Sequence, residues 1–342
     1  MKTIRYFSTI SVSSAILIAL VSAFIPSFIG CSDTPANGSP VASLDTKFNA
    51  KRSYDFLKEI CDLGPRISGT EAMKKQQKRL EEHFTKLGGV VRRQEYKIKS
   101  PETGEPIPLT NMVVSWHPDK KERILLGAHY DTRPYADEDP DIQAARKLGG
   151  LIGANDGASG VAFFMEMAYH MSDLKGNYGV DFVLFDAEEY IFDKERDRGL
   201  LCYGSKHFAA DYVMNPPKDY EYKLVVIVDM IADKNLQLYY ETNSLRKKTS
   251  REAMYGIWKI AKDLKIKEFY RVEQHEVIDD HLSFIDQGIP AIDIIDFDYP
   301  HPSIPYEQQY WHTTKDIPEN CSGESLAKVG TVLLKWLEVY KQ

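Results

Sequence analysis

At 342 residues, with 43% hydrophobic and 27% charged side chains, the chain has an ordinary globular composition and is long enough to bury a large core. A formal net charge of -7 with no long Lys/Arg run argues against a nucleic-acid backbone as partner. The short cluster Lys194 to Arg198 alternates with acids and reads as a solvated loop.

Lys2 and Arg5 precede an apolar segment from Ile10 to Ile29, which ends on Gly30-Cys31, the pattern of an export signal. Phe28-Ile29-Gly30-Cys31 resembles the lipobox of bacterial lipoproteins. That resemblance implies cleavage after residue 30, a lipid on Cys31 and a periplasmic protein attached to a membrane through the lipid alone. The alternative is an uncleaved anchor of about 20 residues, just long enough to span a bilayer. Residues 31–47 contain Pro, Gly and Ser and are expected to form a tether. A single domain over residues 48–342 follows, because its strand and helix alternation never breaks for a linker. With Cys31 lipidated, Cys61, Cys202 and Cys321 form an odd set, read as buried free thiols with no obvious base beside them.

Ser68-Gly69-Thr70-Glu71 opens a helix with Met73, Leu80, Phe84 and Leu87 at helical spacing, which Gly88-Gly89 stops. Val90 to Lys99 and Asn111 to Trp116 read as strands, antiparallel near a sheet edge. Arg123 to Ala128 is an apolar run tipped by His129-Tyr130-Asp131. Asp156 then stands just before an apolar helix through Val161, Phe164, Met165 and Ala168, where capping the helix is its plainest role. Val183-Leu184-Phe185 runs into Asp186-Ala187-Glu188-Glu189, a short helix follows over Tyr203 to Ala210, and Lys223 to Val228 ends on Asp229. Arg251 to Leu264 is an amphipathic helix, Asp279-Asp280-His281 opens a short one, and Ile289 to Ile295 is a fourth buried strand. The final helix spans Glu324 to Tyr340.

Near-continuous apolar strands alternating with helices predict an α/β fold of three layers, α/β/α, around a mostly parallel mixed sheet. Active sites in such sheets gather outside the carboxyl ends of strands, where these polar residues fall. His129, Asp156, Glu189, Asp229 and His312 supply imidazole and carboxylate, the donor mix that suits catalytic zinc.

Gly64-Pro65-Arg66-Ile67-Ser68-Gly69-Thr70, Ala128 to Asp131, Asn155 to Ala158, Glu188-Glu189 and Trp311-His312-Thr313 resemble the M28 zinc peptidase clan, including its zinc exopeptidase architecture. Within it, Tyr203 to His207, Asp279 to His281, Phe284 with Gly288-Ile289-Pro290, and Trp311 to Thr313 are similar to the zinc-dependent glutaminyl cyclases. The resemblance implies one Zn2+ held by Asp156, Glu189 and His312, with Glu188 transferring protons. It places Asp229 and Asp279 in an acidic network beside the metal and Trp311 in the wall of the substrate pocket. The implied reaction converts the N-terminal glutamine of peptides or proteins to pyroglutamate with release of ammonia, by an enzyme expected to be monomeric.

The chain departs from the animal cyclases by lacking their paired cysteines, by Asp293 where they carry histidine, and by a loop from Tyr190 to Lys194 without their tryptophan. Either Phe192 or Tyr299, Tyr306 and Tyr310 are candidates to complete the aromatic wall. Two rival readings stay open. In a two-zinc aminopeptidase, His129 and Asp229 would bind the second metal and Glu188 would activate water; in a binding protein on the same fold, the site would be catalytically silent.

Overall fold

The computed structural model describes residues 48–141, 147, 149–192, 200–298 and 310–341. Cys31 with the segment before it, the tether, the cluster from Lys194 to Arg198, Tyr299 and Tyr306 lie outside the described residues.

The described residues contain eight strands in chain order: β1 (Val90–Lys99), β2 (Pro106–Trp116), β3 (Glu122–His129), β4 (Gly179–Phe185), β5 (Glu221–Asp229), β6 (Leu238–Tyr240), β7 (Phe269–Glu273) and β8 (Ala291–Ile295). Six form one sheet in the order β1-β2-β4-β3-β5-β8. The four apolar runs, β4, β3, β5 and β8, are mutually parallel, and β2 and β1 extend the β4 edge antiparallel. Leu126 pairs with Phe182 and Val226, so every strand in the parallel core ends on the same side.

Among the described residues, seven α-helices surround these strands: α1 (Ala50–Cys61), α2 (Glu71–Lys86), α3 (Ala158–Met171), α4 (Tyr203–Met214), α5 (Lys248–Asp263), α6 (Asp280–Asp286) and α7 (Gly323–Val339). On one sheet face α3 packs with α1, α2 and α7, and α7 also meets α5. On the other, Phe208 of α4 and Phe284 of α6 cover Leu125, Val183, Phe185, Val225 and Ile227. The helices following β3 and β4 therefore lie on opposite faces. That reversal opens a crevice at the carboxyl ends of these two neighbouring strands, the place where such sheets bind ligands.

Helix α2 begins where Thr70 accepts the Met73 N–H. Helix α1 is not anticipated by its polar start, although Phe56, Leu57, Ile60 and Cys61 are buried at helical spacing. The parallel pair β6 and β7 also escapes pattern reading, being short and, in β7, largely exposed. Asp156 is not the cap of α3: the N-cap is Gly157, at φ 101° and without a side-chain hydrogen bond. A Cβ at Gly157 would lie 2.6 Å from the Asp131 carbonyl oxygen. Glycine is needed there so that the exits of β3 and the start of α3 can touch.

Candidate active site

Two buried aspartates tie the loops of the site together. Asp131, just past β3, accepts the backbone N–H groups of Glu188 and Glu189 on its two oxygens, each at 3.0 Å. Asp316 accepts the N–H of Asn155 at 2.8 Å and of Asp156 at 3.1 Å. Backbone donors fixed at both oxygens define where the following side chains project. Ala187, Cys202, Met230 and His312, all at or next to site residues, have φ between 50° and 61°. Left-handed backbone costs a non-glycine residue free energy, and its concentration here marks a region held in a particular shape.

Asp156, Glu189 and His312 converge as the sequence suggests. His312 Nε2 lies 3.3 Å from Asp156 Oδ2 and 3.6 Å from Glu189 Oε1. Ligand atoms at about 2.0–2.2 Å from a tetrahedral zinc stand about 3.3–3.6 Å apart, so the separations fit that ion. The surroundings fit as well. Asp137 Oδ1 lies 3.4 Å from His312 Nδ1, leaving Nε2 to face the carboxylates, and Arg133 makes a bidentate pair with Glu189, with Nη2 to Oε1 at 2.6 Å. Burial alone would raise the Asp137 carboxyl, but His312 and Arg133 outweigh it and bring it down to about 2. Burial and Arg133 disfavour the charged His312 ring; Glu189, Asp137 and Asp156 overcome both and lift it to about 9.

His129 faces the other oxygen of Asp156. Its Nε2 is 3.1 Å from Asp156 Oδ1 and 3.2 Å from Asp229 Oδ1, while Nδ1 is 3.6 Å from Asp131. Asp156 thus offers one oxygen to each histidine, a bridging arrangement compatible with a second cation. Asp229 Oδ1 also accepts the Met230 N–H at 2.8 Å, and burial raises this carboxyl to about 7 despite the neighbouring His129.

Glu188 turns away from the first triad toward Cys202 and Asp279. Burial, then repulsion from Glu189, with further contributions from Asp279 and Asp280, pushes its carboxyl well above the usual range. A carboxyl raised above its usual range by its surroundings is suited to both taking up and returning a proton. The Cys202 thiol, read from sequence as remote from any base, in fact lies 3.4 Å from Glu188 Oε1. Chain separation hid this contact: the two residues are fourteen positions apart.

Arg133, Asp156, Glu188, Glu189 and His312 line a cavity of about 420 Å³ together with Asp229, Asp279, Met230, Val277, Ile278, Phe297 and Trp311. Trp311 stacks on His312, with ring centroids 3.9 Å apart, and meets Phe297 edge-on at 5.8 Å. Phe192 does not complete the wall; it packs against Tyr190 and Tyr135 beside Leu109 and Ala187. Tyr310 is buried with Met230, Val277 and Ile295, and its hydroxyl donates to Asp233. Phe297, which follows β8 by two positions, takes the place expected of them. Arg133 and Asp137 were not singled out in the sequence, where they sit in an ordinary charged loop; their spacing of four is the sole signal. Asp131 stands inside a quoted motif, yet only the fold reveals what it binds.

Residues 111–337 match Peptidase family M28. A glutaminyl-peptide cyclotransferase from Gloydius blomhoffii is 22% identical over 250 residues, covering 66% of this chain and 63% of the relative, so the match spans less than two thirds of that protein. The crystal structure of Fimbriiglobus ruber glutaminyl cyclase superposes with a TM-score of 0.78 at 38% identity, covering 86% of this chain and 96% of that one. A Zn-dependent exopeptidase from Parabacteroides distasonis gives a TM-score of 0.76 at 31% identity, over 86% and 99% of the two chains.

Proposed function

We propose, from the premise that the chain belongs to peptidase family M28, that it is a zinc-dependent glutaminyl-peptide cyclotransferase acting on peptides or proteins with N-terminal glutamine. Asp156, Glu189 and His312 would hold one zinc ion, and their 3.3 and 3.6 Å separations support this. An ion held there would supply a Lewis acid to polarise the γ-carboxamide carbonyl of the substrate. Glu188 accepts a proton from the attacking α-amine and passes it to the departing amide nitrogen. One C–N bond forms, another breaks, and ammonia leaves. An α-amine titrates near about 8, so a fraction is already nucleophilic at neutral pH. Asp229 and Asp279 line the same cavity, where a carboxylate oxygen would accept the one N–H that the amine keeps. Ring closure within one molecule depends on orientation, which can contribute roughly 7 kcal/mol or more. Trp311 and Phe297 supply the walls that impose it.

The observation that carries this reading is Trp311 stacked on the ligand His312 within the cavity that Glu188 enters. It is tested by incubating the protein with Gln-initiated and Leu-initiated peptides and following both by mass spectrometry. Loss of ammonia from the first with no change in the second is expected; release of free leucine without ammonia loss sinks it. The bridging position of Asp156 favours one rival, a two-zinc aminopeptidase with His129 and Asp229 on the second ion. The Asp229 oxygen already engaged by His129 and Met230 N–H supports the single-metal form.

We also propose that the protein is exported and lipid-anchored at Cys31, and that it works as a monomer. Lys2, Arg5 and the apolar segment to Ile29 support export. Mass spectrometry of the mature N-terminus should find Cys31 first and carrying acyl chains; an unmodified Cys31, or residues retained before it, would count against the lipid.

A further inference from the structure

The aromatic wall of the cavity is held by residues that do not line it. Phe297 meets two rings edge-on, Trp311 at 5.8 Å and His275 at 5.4 Å, and of these only Trp311 faces the cavity. Carboxylates flank Phe297 in the chain. Before it, buried Asp296 accepts the Gln237 N–H at 2.9 Å. After it, Asp298 uses both oxygens: Oδ1 lies 2.8 Å from His275 Nε2, and Oδ2 accepts a Gln274 side-chain N–H at 2.6 Å. A carboxylate accepts, so Nε2 is the donor to it. The turn that carries Gln274 and His275 is itself pinned, since the Gln274 N–H donates to the Tyr240 carbonyl at 2.9 Å and the His275 carbonyl accepts the Thr242 N–H at 3.0 Å. His275 holds φ 65°, a backbone conformation that a non-glycine residue keeps only where its surroundings impose it. Glu276 to Asp279 follow at once and line the cavity. The Val277 N–H among them donates to Glu241 Oε1 at 3.2 Å; burial would raise that carboxyl, but His281 and the Ser244 and Asn243 donors outweigh it and bring it to about 2. Asp298 thus ties one cavity-lining segment, Glu276 to Asp279, to the other, Ile295 and Phe297.

We infer that Gln274, His275 and Asp298 form a clamp that positions Phe297, so that three residues outside the cavity set how tightly it holds substrate and leave the chemical step alone. The inference rests on the proposed reading of this cavity as the substrate site. Its reason is the exposure of the ring. Phe297 is 37% exposed, so packing on its own does not fix it, and the His275 ring and the Asp298 backbone supply the missing constraint. The clamp is also a poor candidate for a folding element. The His275 and Asp298 side chains remain 27% and 12% exposed, and hydrogen bonds within reach of water add little to global stability. A merely structural role would place the cost of breaking it in unfolding; a positioning role places it in KM.

Full-length Asp298→Ala, His275→Asn, Phe297→Ala and the double variant Asp298→Ala with Phe297→Ala test this, with kcat and KM on a Gln-initiated peptide and zinc content measured together. The clamp predicts that Asp298→Ala raises KM by about 3- to 10-fold, the factor an edge-to-face aromatic contact is worth. It also predicts a kcat within about twofold of wild type and unchanged zinc per chain. Phe297→Ala should raise KM at least as far, and the double variant no further than Phe297→Ala alone, because the clamp acts through that ring. His275→Asn places a residue that tolerates left-handed backbone in the same turn and removes the ring, so it decides the matter if Asp298→Ala fails to fold. Folded variants with wild-type KM would overturn the inference, as would a loss carried by kcat or a double variant whose KM is the product of the two single effects. If wild type releases leucine from Leu-peptides and cyclises nothing, the proposed reaction fails; the same KM comparison on hydrolysis still judges the clamp.

Discussion

Replacing Asp131 by Ala leaves two buried N–H groups, those of Glu188 and Glu189, without their 3.0 Å acceptors. Each unmet buried donor costs about 1–3 kcal/mol, so the pair comes to about 2–6 kcal/mol. One effect opposes this: Asp131 repels buried Asp186 and helps hold that carboxyl at about 7, so its removal relieves some strain. The relief is smaller, because burial is the larger cause of the Asp186 shift and that carboxyl can already take up a proton near neutral pH. Asp131→Ala is therefore expected to shift urea unfolding by several kcal/mol and to weaken zinc binding, since Glu189 loses its backbone anchor. Asp131→Asn retains one acceptor oxygen and should cost about half as much. Unfolding curves recorded in chelator and again with zinc measure both effects. Wild-type midpoints and zinc affinity in the Ala variant would refute the claim that this aspartate organises the two glutamates.

Glu188→Gln keeps the shape of the side chain and should retain zinc and fold while losing roughly 10²- to 10⁴-fold in turnover; equal turnover would remove Glu188 from the proton path. Asp137→Asn should weaken zinc binding by roughly 10- to 100-fold, read by competition with a chelating dye, because His312 loses the carboxylate facing Nδ1. Gly157→Ala forces a Cβ to 2.6 Å from a carbonyl oxygen at φ 101°, and a loss of about 1–3 kcal/mol in thermal or urea unfolding is expected. Asp137 and Glu241 both fall to about 2 in the folded protein from ordinary values of 3.8 and 4.5. They bind protons more weakly folded than unfolded, so their stabilisation is complete above about pH 4.5 and is lost as pH falls through 4 toward 2. Unfolding free energies should accordingly separate wild type from Glu241→Gln at pH 6 and converge near pH 2; a constant gap would contradict this assignment.

The parallel core was legible because its strands are unbroken apolar runs, and their polar tips mark one end of the sheet. His129, Glu188 and Asp229 can be placed at that end from sequence for this reason. Asp156 and His312 needed the motif resemblance, since neither ends a strand. What stayed hidden depends on contacts between distant segments. Nothing near Asp316 announces that it binds the Asn155 and Asp156 amides, and Cys202 meets Glu188 where Ala187 and Cys202 both adopt left-handed backbone. The aromatic wall was misassigned to Phe192 and Tyr310 because aromatic content alone does not distinguish a cavity face from the packed layer beside it.

The most direct test of the central claim is a zinc titration of metal-free protein with turnover of a Gln-initiated peptide recorded at each addition. Cyclisation should rise linearly and saturate at one equivalent of zinc per chain, and His312→Ala should abolish both tight binding and the rise. Saturation only at two equivalents, or cyclisation indifferent to zinc and chelator, would contradict the account.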